Sequence, residues 1–298
     1  MSKPGAEEGA AVGAGAPDPR GPDSGPRTRL AHLSDVHFGK IADDRVVADA
    51  VADVNGSGAA LVVVSGDLTQ RARTREYQAA RAMLDAFEAP TLVVPGNHDV
   101  AAWWHNPVQR IFDSDARFRR FIEPDRTPTA ELPGASVFGL DSAHGLTIKG
   151  GLIRPHDLVA AETYFARQPP GALRVVTLHH HLLRLQSIGS HDVARGARRA
   201  LATFRRAGVD LVLCGHLHRS RVEAVEIAPH AGLVVASAGT ATSSRGRGTD
   251  ADVNLYNWID VWPDRFEIEE RRHAASGFQA NRRTAFARAR RIQTEAGP

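Results

Sequence analysis

Residues 91–105 read TLVVPGNHDVAAWWH. An apolar run, Leu92 to Val94, delivers Gly96, Asn97, His98 and Asp99 in one cluster. Taken alone this is a strand followed by a turn, because Asn and Asp both tolerate tight local hydrogen bonding. What the cluster means depends on how the other apolar runs of the chain end.

Four more end in the same manner. Arg29 to Leu33 is followed by Ser34, Asp35, Val36 and His37, and Leu61 to Val64 by Ser65, Gly66 and Asp67. Val175 to Leu178 leads into His179, His180 and His181, and Val209 to Cys214 into Gly215, His216, Leu217 and His218. Between these runs the apolar residues recur with helical spacing: Val46, Val47, Ala50, Val51 and Val54 after a capping Asp43 or Asp44, then Tyr77, Ala80, Leu84 and Phe87, and later Ala197, Leu201 and Phe204 up to Gly208. The pattern predicts two successive β-α-β crossovers by residue 94. Consecutive strands are expected at Val222–Ile227, Leu233–Ala236, Leu255–Val261 and Phe266–Ile268. In an open α/β sheet ligands gather beyond the carboxyl ends of the strands, so the five polar clusters are expected to converge.

Each cluster is weak by itself. D-x-H arises often by chance, an Asp after a strand commonly caps a helix, and most histidines are surface or packing residues. Five in series are different, because crowding carboxylates and imidazoles is costly unless a cation compensates them. Gly66, Gly96 and Gly215 each precede a proposed ligand or its turn, where a missing side chain permits close approach. A mixed set of His, Asp and Asn suits Mn, Fe or Zn.

The ordered set D-x-H at 35–37, G-D at 66–67, G-N-H-D at 96–99, the histidine run at 179 and G-H-x-H at 215–218 resembles the calcineurin-like metallophosphoesterases. That resemblance implies an α/β fold: a four-layer α/β/β/α sandwich of two mixed β-sheets, with two divalent metal ions at the strand ends. It implies that Asp35, His37 and His218 hold one ion and Asn97, His179 and His216 the other, with Asp67 shared. His179 is taken over His180 because the family's metal histidine stands first after the strand. His98 is expected beside the substrate as the catalytic residue, stabilising charge or protonating the leaving group. Two ions about 3.5 to 4 Å apart would activate water and support an in-line displacement at phosphorus. The stretch Gly66-Asp67-Leu68-Thr69-Gln70-Arg71 lacks the second aspartate of the protein-phosphatase version, so the chain resembles the bacterial branch containing the class III cyclic-nucleotide phosphodiesterases. A small phosphodiester, such as a 3',5'-cyclic nucleotide, is the expected substrate. A pyrophosphatase for a UDP-diacylglucosamine type of nucleotide lipid is the alternative, and an inactive nucleic-acid-binding homologue a third.

The rest of the chain sets limits. At 298 residues and 42% hydrophobic content it can bury a substantial core. A net charge of +3 is too small to argue for a nucleic-acid partner. The single cysteine, Cys214, can form no internal disulfide and reads as a small buried hydrophobe. No membrane-length apolar run and no signal-like start are present, so a cytoplasmic location is expected. Residues 1–28 read as a disordered Gly/Ala/Pro-rich leader, 29–272 as the metallophosphoesterase domain, and 273–298 as a basic tail or amphipathic helix carrying Arg282, Arg283, Arg288, Phe278 and Phe286, suited to weak contact with a membrane surface. Trp103, Trp104 and His105 suggest an aromatic wall beside the metals, and Gly239–Arg247 a loop offering hydroxyls and guanidinium groups to a phosphate.

Overall fold

Strands whose side chains alternate between two buried faces build the frame. In β1 (Thr28–Leu33), Leu30 enters one apolar cluster while Ala31 and Leu33 enter another. β2 (Leu61–Val64) and β3 (Thr91–Val93) divide their residues in the same way, as expected of strands covered on both sides. A computed structural model describes residues 25, 27–100, 113–143, 145, 150–228 and 231–288.

α1 (Asp44–Gly56) starts where Asp43 accepts a hydrogen bond from the backbone N–H of Arg45, and α2 (Thr74–Asp85) follows β2. The two helices carry the chain between parallel strands, giving the expected β1-α1-β2-α2-β3 run. The first sheet is completed on the far side of β1 by β10 (Leu255–Val261), β11 (Arg265–Ala274) and β12 (Gly277–Ala287), in the order β12-β11-β10-β1-β2-β3. The second sheet runs β4-β5-β6-β7-β9-β8, built from Thr129–Leu132, Ala135–Gly139, Leu173–Thr177, Leu211–Cys214, Arg221–Ala228 (β8) and Ala231–Ser237 (β9). Both sheets mix parallel and antiparallel pairs.

Three apolar clusters separate four layers. Val46, Ala50, Tyr77 and Leu84 pack on Val62 and Val64. Leu61, Val63 and Leu92 meet Val137, Val175 and Leu213 between the sheets. Leu158 and Phe165 of α4 (Pro155–Ala166) and Phe204 of α5 (Ala197–Arg206) cover Val176 and Val212. The architecture is therefore α/β/β/α, as the resemblance implied. Cys214 is fully buried in the third cluster.

The sequence reading assigned nothing between residues 113 and 172, where the structure has α3 (Ala116–Phe121), β4, β5 and α4. β4 alternates exposed and half-buried positions at the edge of its sheet and carries Glu131, so it has no apolar run to find.

The C-terminal reading needs correction. Residues 273–287 are neither tail nor helix: β11 runs to Ala274 and β12 pairs with it antiparallel, so a boundary after 272 would cut a strand. Glu270 pairs with Arg282 and Arg271 with Ala280, leaving Asn281 as the extra residue of a β-bulge. The bulge reverses facing, so Phe278 joins the helix-side cluster while Phe286 packs between the sheets. Arg282 and Arg283 form ion pairs with Glu270 and Glu269 across the hairpin. At the other end Thr28, assigned to the leader, opens β1. Residues 1–24 and 26, Trp103, Trp104, His105, and the chain beyond Arg288 lie outside the described residues.

Candidate metal centre

Five expected ligands sit on backbone that L-residues avoid. Among the described non-glycine residues, positive φ occurs at Asp35 (53°), His37 (53°), Asp67 (55°), His216 (72°) and His218 (54°), and otherwise only at Ala72. Such conformations cost about 1–3 kcal/mol each and persist only where surrounding contacts impose them. The contacts are visible. Asp35 N–H donates to Gly66 O and His37 N–H to Asp67 O, tying the β1 turn to the β2 turn. Thr240 Oγ1 donates to Asp35 O at 2.8 Å and Thr242 Oγ1 to Val36 O at 3.0 Å. The glycines leave room as expected: a Cβ on Gly96 would stand 2.1 Å from Asp67 Oδ1, and one on Gly215 1.8 Å from Ser34 Oγ.

Two sets of donor atoms meet at one carboxylate. Asp67 Oδ2 lies 3.6 Å from His37 Nε2 and 3.3 Å from His179 Nε2. On the first side, Asp35 Oδ1 is 3.5 Å from His37 Nε2 and 3.6 Å from His218 Nε2. On the second, Asn97 Oδ1 is 2.9 Å from His216 Nδ1 and 3.3 Å from His179 Nε2. Donors about 2.1 Å from a common ion stand roughly 3.0–3.4 Å apart, so both sets fit a divalent cation. Asp35 Oδ1 and His37 Nε2 are buried with no hydrogen-bond partner, which is costly for any role except ligation.

The supporting hydrogen bonds aim these atoms. His37 Nδ1 faces Thr69 O at 3.2 Å and His179 Nδ1 faces Ser65 O at 2.8 Å, so in each ring Nδ1–H donates outward and the Nε2 lone pair faces the cleft. Asp67 Oδ1 accepts from His98 N–H at 2.8 Å, leaving Oδ2 for the two sets. Burial pushes His216 down to about 3 and His218 down to about 4, keeping both as neutral ligands. Burial works against a charged His179, but the Asp67 carboxylate outweighs it and raises the ring to about 9, so its Nε2 holds a proton that a bound cation would displace to use the lone pair. In Asp35 and Asp67 burial alone would raise the carboxyls, yet the surrounding imidazoles hold both below the usual carboxylate range.

His98 stands beside the sets, its ring 5.0 Å from that of His37. The orienting aspartate missing from the second motif is replaced by main chain: Nδ1–H donates to Gln70 O at 2.8 Å. Nε2 accepts from Arg245 Nη1 at 3.0 Å. Asp99, the last residue of G-N-H-D, is a tie between turns. It accepts from Leu68 N–H, Thr69 N–H, Thr69 Oγ1 and Gly96 N–H, and Tyr77 donates to its carbonyl. The sequence signal for that role is present in retrospect: a short carboxylate three residues after a glycine whose N–H needs an acceptor.

All seven expected ligands and His98 thus come together, carried on five separate turns. His180 also borders this set: its Nδ1 is 2.9 Å from Ser142 Oγ, its Nε2 is buried without a partner, and it shares a donor cluster with His179 and His216, but it is His179 that contacts Asp67 and Asn97. The 239–247 loop departs from the reading. Thr240, Thr242 and Ser243 are buried, with Thr240 and Thr242 donating to main-chain carbonyls, and only Arg245 and Arg247 line the cleft.

Known proteins resemble this chain in sequence and in fold. The chain is 32% identical over 207 residues to the glycerophosphodiester phosphodiesterase GpdQ of Enterobacter lignolyticus, covering 63% of this chain and 70% of that one. It is 27% identical over 161 residues to the 3',5'-cyclic adenosine monophosphate phosphodiesterase CpdA of Escherichia coli, covering 53% and 54%. A dimetal phosphatase from Danio rerio superposes with a TM-score of 0.62 at 13% identity, over 88% of this chain and 99% of that one. Purple acid phosphatase from yellow lupin gives 0.66 at 12% identity, over 87% of this chain and about half (53%) of its own length. Residues 28–220 match the calcineurin-like phosphoesterase family, and the chain is a member of that family of metal-dependent phosphoester hydrolases.

Proposed function

We propose that the protein hydrolyses a small phosphodiester at a centre of two divalent metal ions. The observation that carries this is Asp67: one oxygen lies near both His37 and His179, which belong to different sets, while the other is held by the His98 N–H. Asp35, His37 and His218 complete one set, and Asn97, His179 and His216 the other. Bound ions would supply Lewis acidity and a nucleophile at neutral pH.

The chain's own groups do the rest. The ligand rings are fixed before substrate arrives, so little reorganisation is needed as charge develops at phosphorus. Ser34, Ser65, Asp35 and His179 are fully buried and shield the floor of the cleft from water. His98 is committed through Nδ1–H to Gln70 and accepts from Arg245 at Nε2, which is the ring atom left to meet a leaving oxygen.

A diester is favoured because relatives of this chain are phosphodiesterases by name and because Gln70 and Arg71 follow where the protein-phosphatase motif needs an aspartate. Within that class we assign a cyclic nucleotide ahead of a lipid-linked pyrophosphate. The membrane-facing helix that would have served a lipid substrate is a strand whose arginines are paired with glutamates. A cytoplasmic location goes with this assignment, supported by a single cysteine that is buried and unpaired with any other.

The test is the specificity constant of metal-loaded protein for cyclic AMP, bis(4-nitrophenyl) phosphate, 4-nitrophenyl phosphate and UDP-diacylglucosamine, with metal content measured in parallel. The diesters are expected to exceed the monoester, with two ions per chain. A monoester or the lipid-linked pyrophosphate winning by orders of magnitude would overturn the substrate assignment, and no metal-dependent turnover would overturn the enzyme itself.

A further inference from the structure

Among the described residues, one cation at the cleft is held by neutral groups alone. Arg245 Nη1 donates to His98 Nε2 at 3.0 Å and to Gln70 Oε1 at 3.2 Å. Among the described residues no carboxylate forms an ion pair with it. The charges nearest in effect are Asp35 and Asp67, which two divalent ions would neutralise. Its main chain is pinned. Asn254 Nδ2 donates to Ser243 O at 2.9 Å, Ser244 N–H donates to Lys40 O at 3.0 Å, and a Cβ on Gly246 would stand 2.0 Å from Asp250 O. A fixed root with a long side chain that reaches His98 and lines the cleft together with Asp67 and His218 describes a group that can trade acceptors without moving the loop.

We propose that Arg245 is the substrate-anion receptor of this site, and that it leaves His98 and Gln70 for a non-bridging oxygen of the bound phosphodiester. The inference rests on the phosphodiesterase reading above and adds to it the residue that recognises the phosphate from the side away from the metals. A phosphoryl oxyanion accepts a guanidinium hydrogen bond more strongly than a neutral imidazole or amide does, and the planar fork suits two such oxygens. The exchange has a second effect. In the free enzyme the guanidinium caps His98 Nε2, so that atom becomes available only when substrate draws Arg245 away. One contact thereby links occupancy of the cleft to exposure of His98.

The experiment uses the full-length, metal-loaded protein and its Arg245→Ala and Arg245→Lys variants. Inorganic phosphate binding is measured by isothermal titration calorimetry, and hydrolysis of bis(4-nitrophenyl) phosphate by steady-state kinetics. Loss of one charge-assisted contact is expected to weaken phosphate binding and raise KM by roughly 10- to 100-fold in Arg245→Ala, with metal content and Tm unchanged. Arg245→Lys should recover part of the phosphate affinity, since it keeps the charge and loses the fork. Unchanged phosphate affinity and KM in both variants would overturn the proposal, as would wild-type protein that binds no phosphate. Arg245-dependent phosphate binding in protein that hydrolyses no diester would leave the receptor standing and remove the phosphodiesterase reading.

Discussion

Asp67 and His98 touch through one hydrogen bond, yet their substitution should separate cleanly. Replacing Asp67 by Ala removes the oxygen that faces both His37 and His179, and Lewis-acid stabilisation worth several kcal/mol goes with it. Hydrolysis is therefore expected to fall by a factor of about a thousand or more, together with metal content. His98→Ala leaves every donor atom in place, so turnover should drop about 10²- to 10³-fold while metal analysis stays near wild type. Metal loss in His98→Ala would make that residue a ligand. Gly96→Ala places a methyl group within 2.1 Å of Asp67 Oδ1 and 2.4 Å of Asp67 N. Reduced metal affinity at unchanged secondary structure, read by titration and circular dichroism, is expected. At this scale the sequence was highly legible, because residue type, order and the preceding glycine together pick out the residues that the structure gathers at the cleft. The partner of His98 was not, since it is a main-chain carbonyl that no side-chain pattern announces. Arg245 could be noticed in the sequence only as one of several polar residues in its loop.

Strand β12 shows where element-level reading fails. Phe278 and Phe286 are eight residues apart, a spacing that suits two turns of helix, and the bulge at Asn281 erases the alternation that would have marked a strand. The four-residue runs of β2 and β7, in contrast, are apolar throughout because both faces are covered, and they were found at once. The corrected element has a direct consequence for truncation. A chain ending after Ser276 keeps every proposed ligand but loses an eleven-residue strand, the buried Phe278 ring, and the carbonyl that receives Arg271 Nη2. Such a protein should be grossly destabilised, and the subtler Phe278→Ala should cost about 3–5 kcal/mol in urea denaturation. A truncated protein with wild-type Tm would show that β12 is dispensable.

For the molecule as a whole, sheet order is the part that no local pattern discloses. β1 lies between β2, about thirty residues later, and β10, more than two hundred residues later, and only three-dimensional packing makes that second pairing. Global stability should carry an acid signature from His32, which is fully buried on β1 and bonded through Nε2 to Ser65 Oγ at 2.9 Å. Burial lowers its pKa from 6.5 to about 3. Between those values the unfolded chain binds a proton that the folded protein refuses, so stability falls as pH drops below about 6.5. The ceiling for this one group is about 5 kcal/mol, reached near pH 3. Denaturation of wild type and His32→Gln at about pH 7.5 and about pH 5 should show a smaller loss in the variant. An equal loss would remove His32 from the account.

The antiparallel pairing of β1 with β10 also sets an order of events during synthesis. When the first three strands and two helices leave the ribosome, one flank of β1 is an open edge, and the turns bearing Asp35, His37, Asp67 and Asn97 hold only part of a site. The hydroxyls that clamp the Asp35 turn, on Thr240 and Thr242, are translated some two hundred residues after it. A nascent chain therefore offers carboxylates to passing cations long before it can hold them in the geometry of the finished centre. Selection of a metal by the finished geometry must therefore wait until β10 has paired with β1 and the Thr240 and Thr242 hydroxyls have closed on the Asp35 turn.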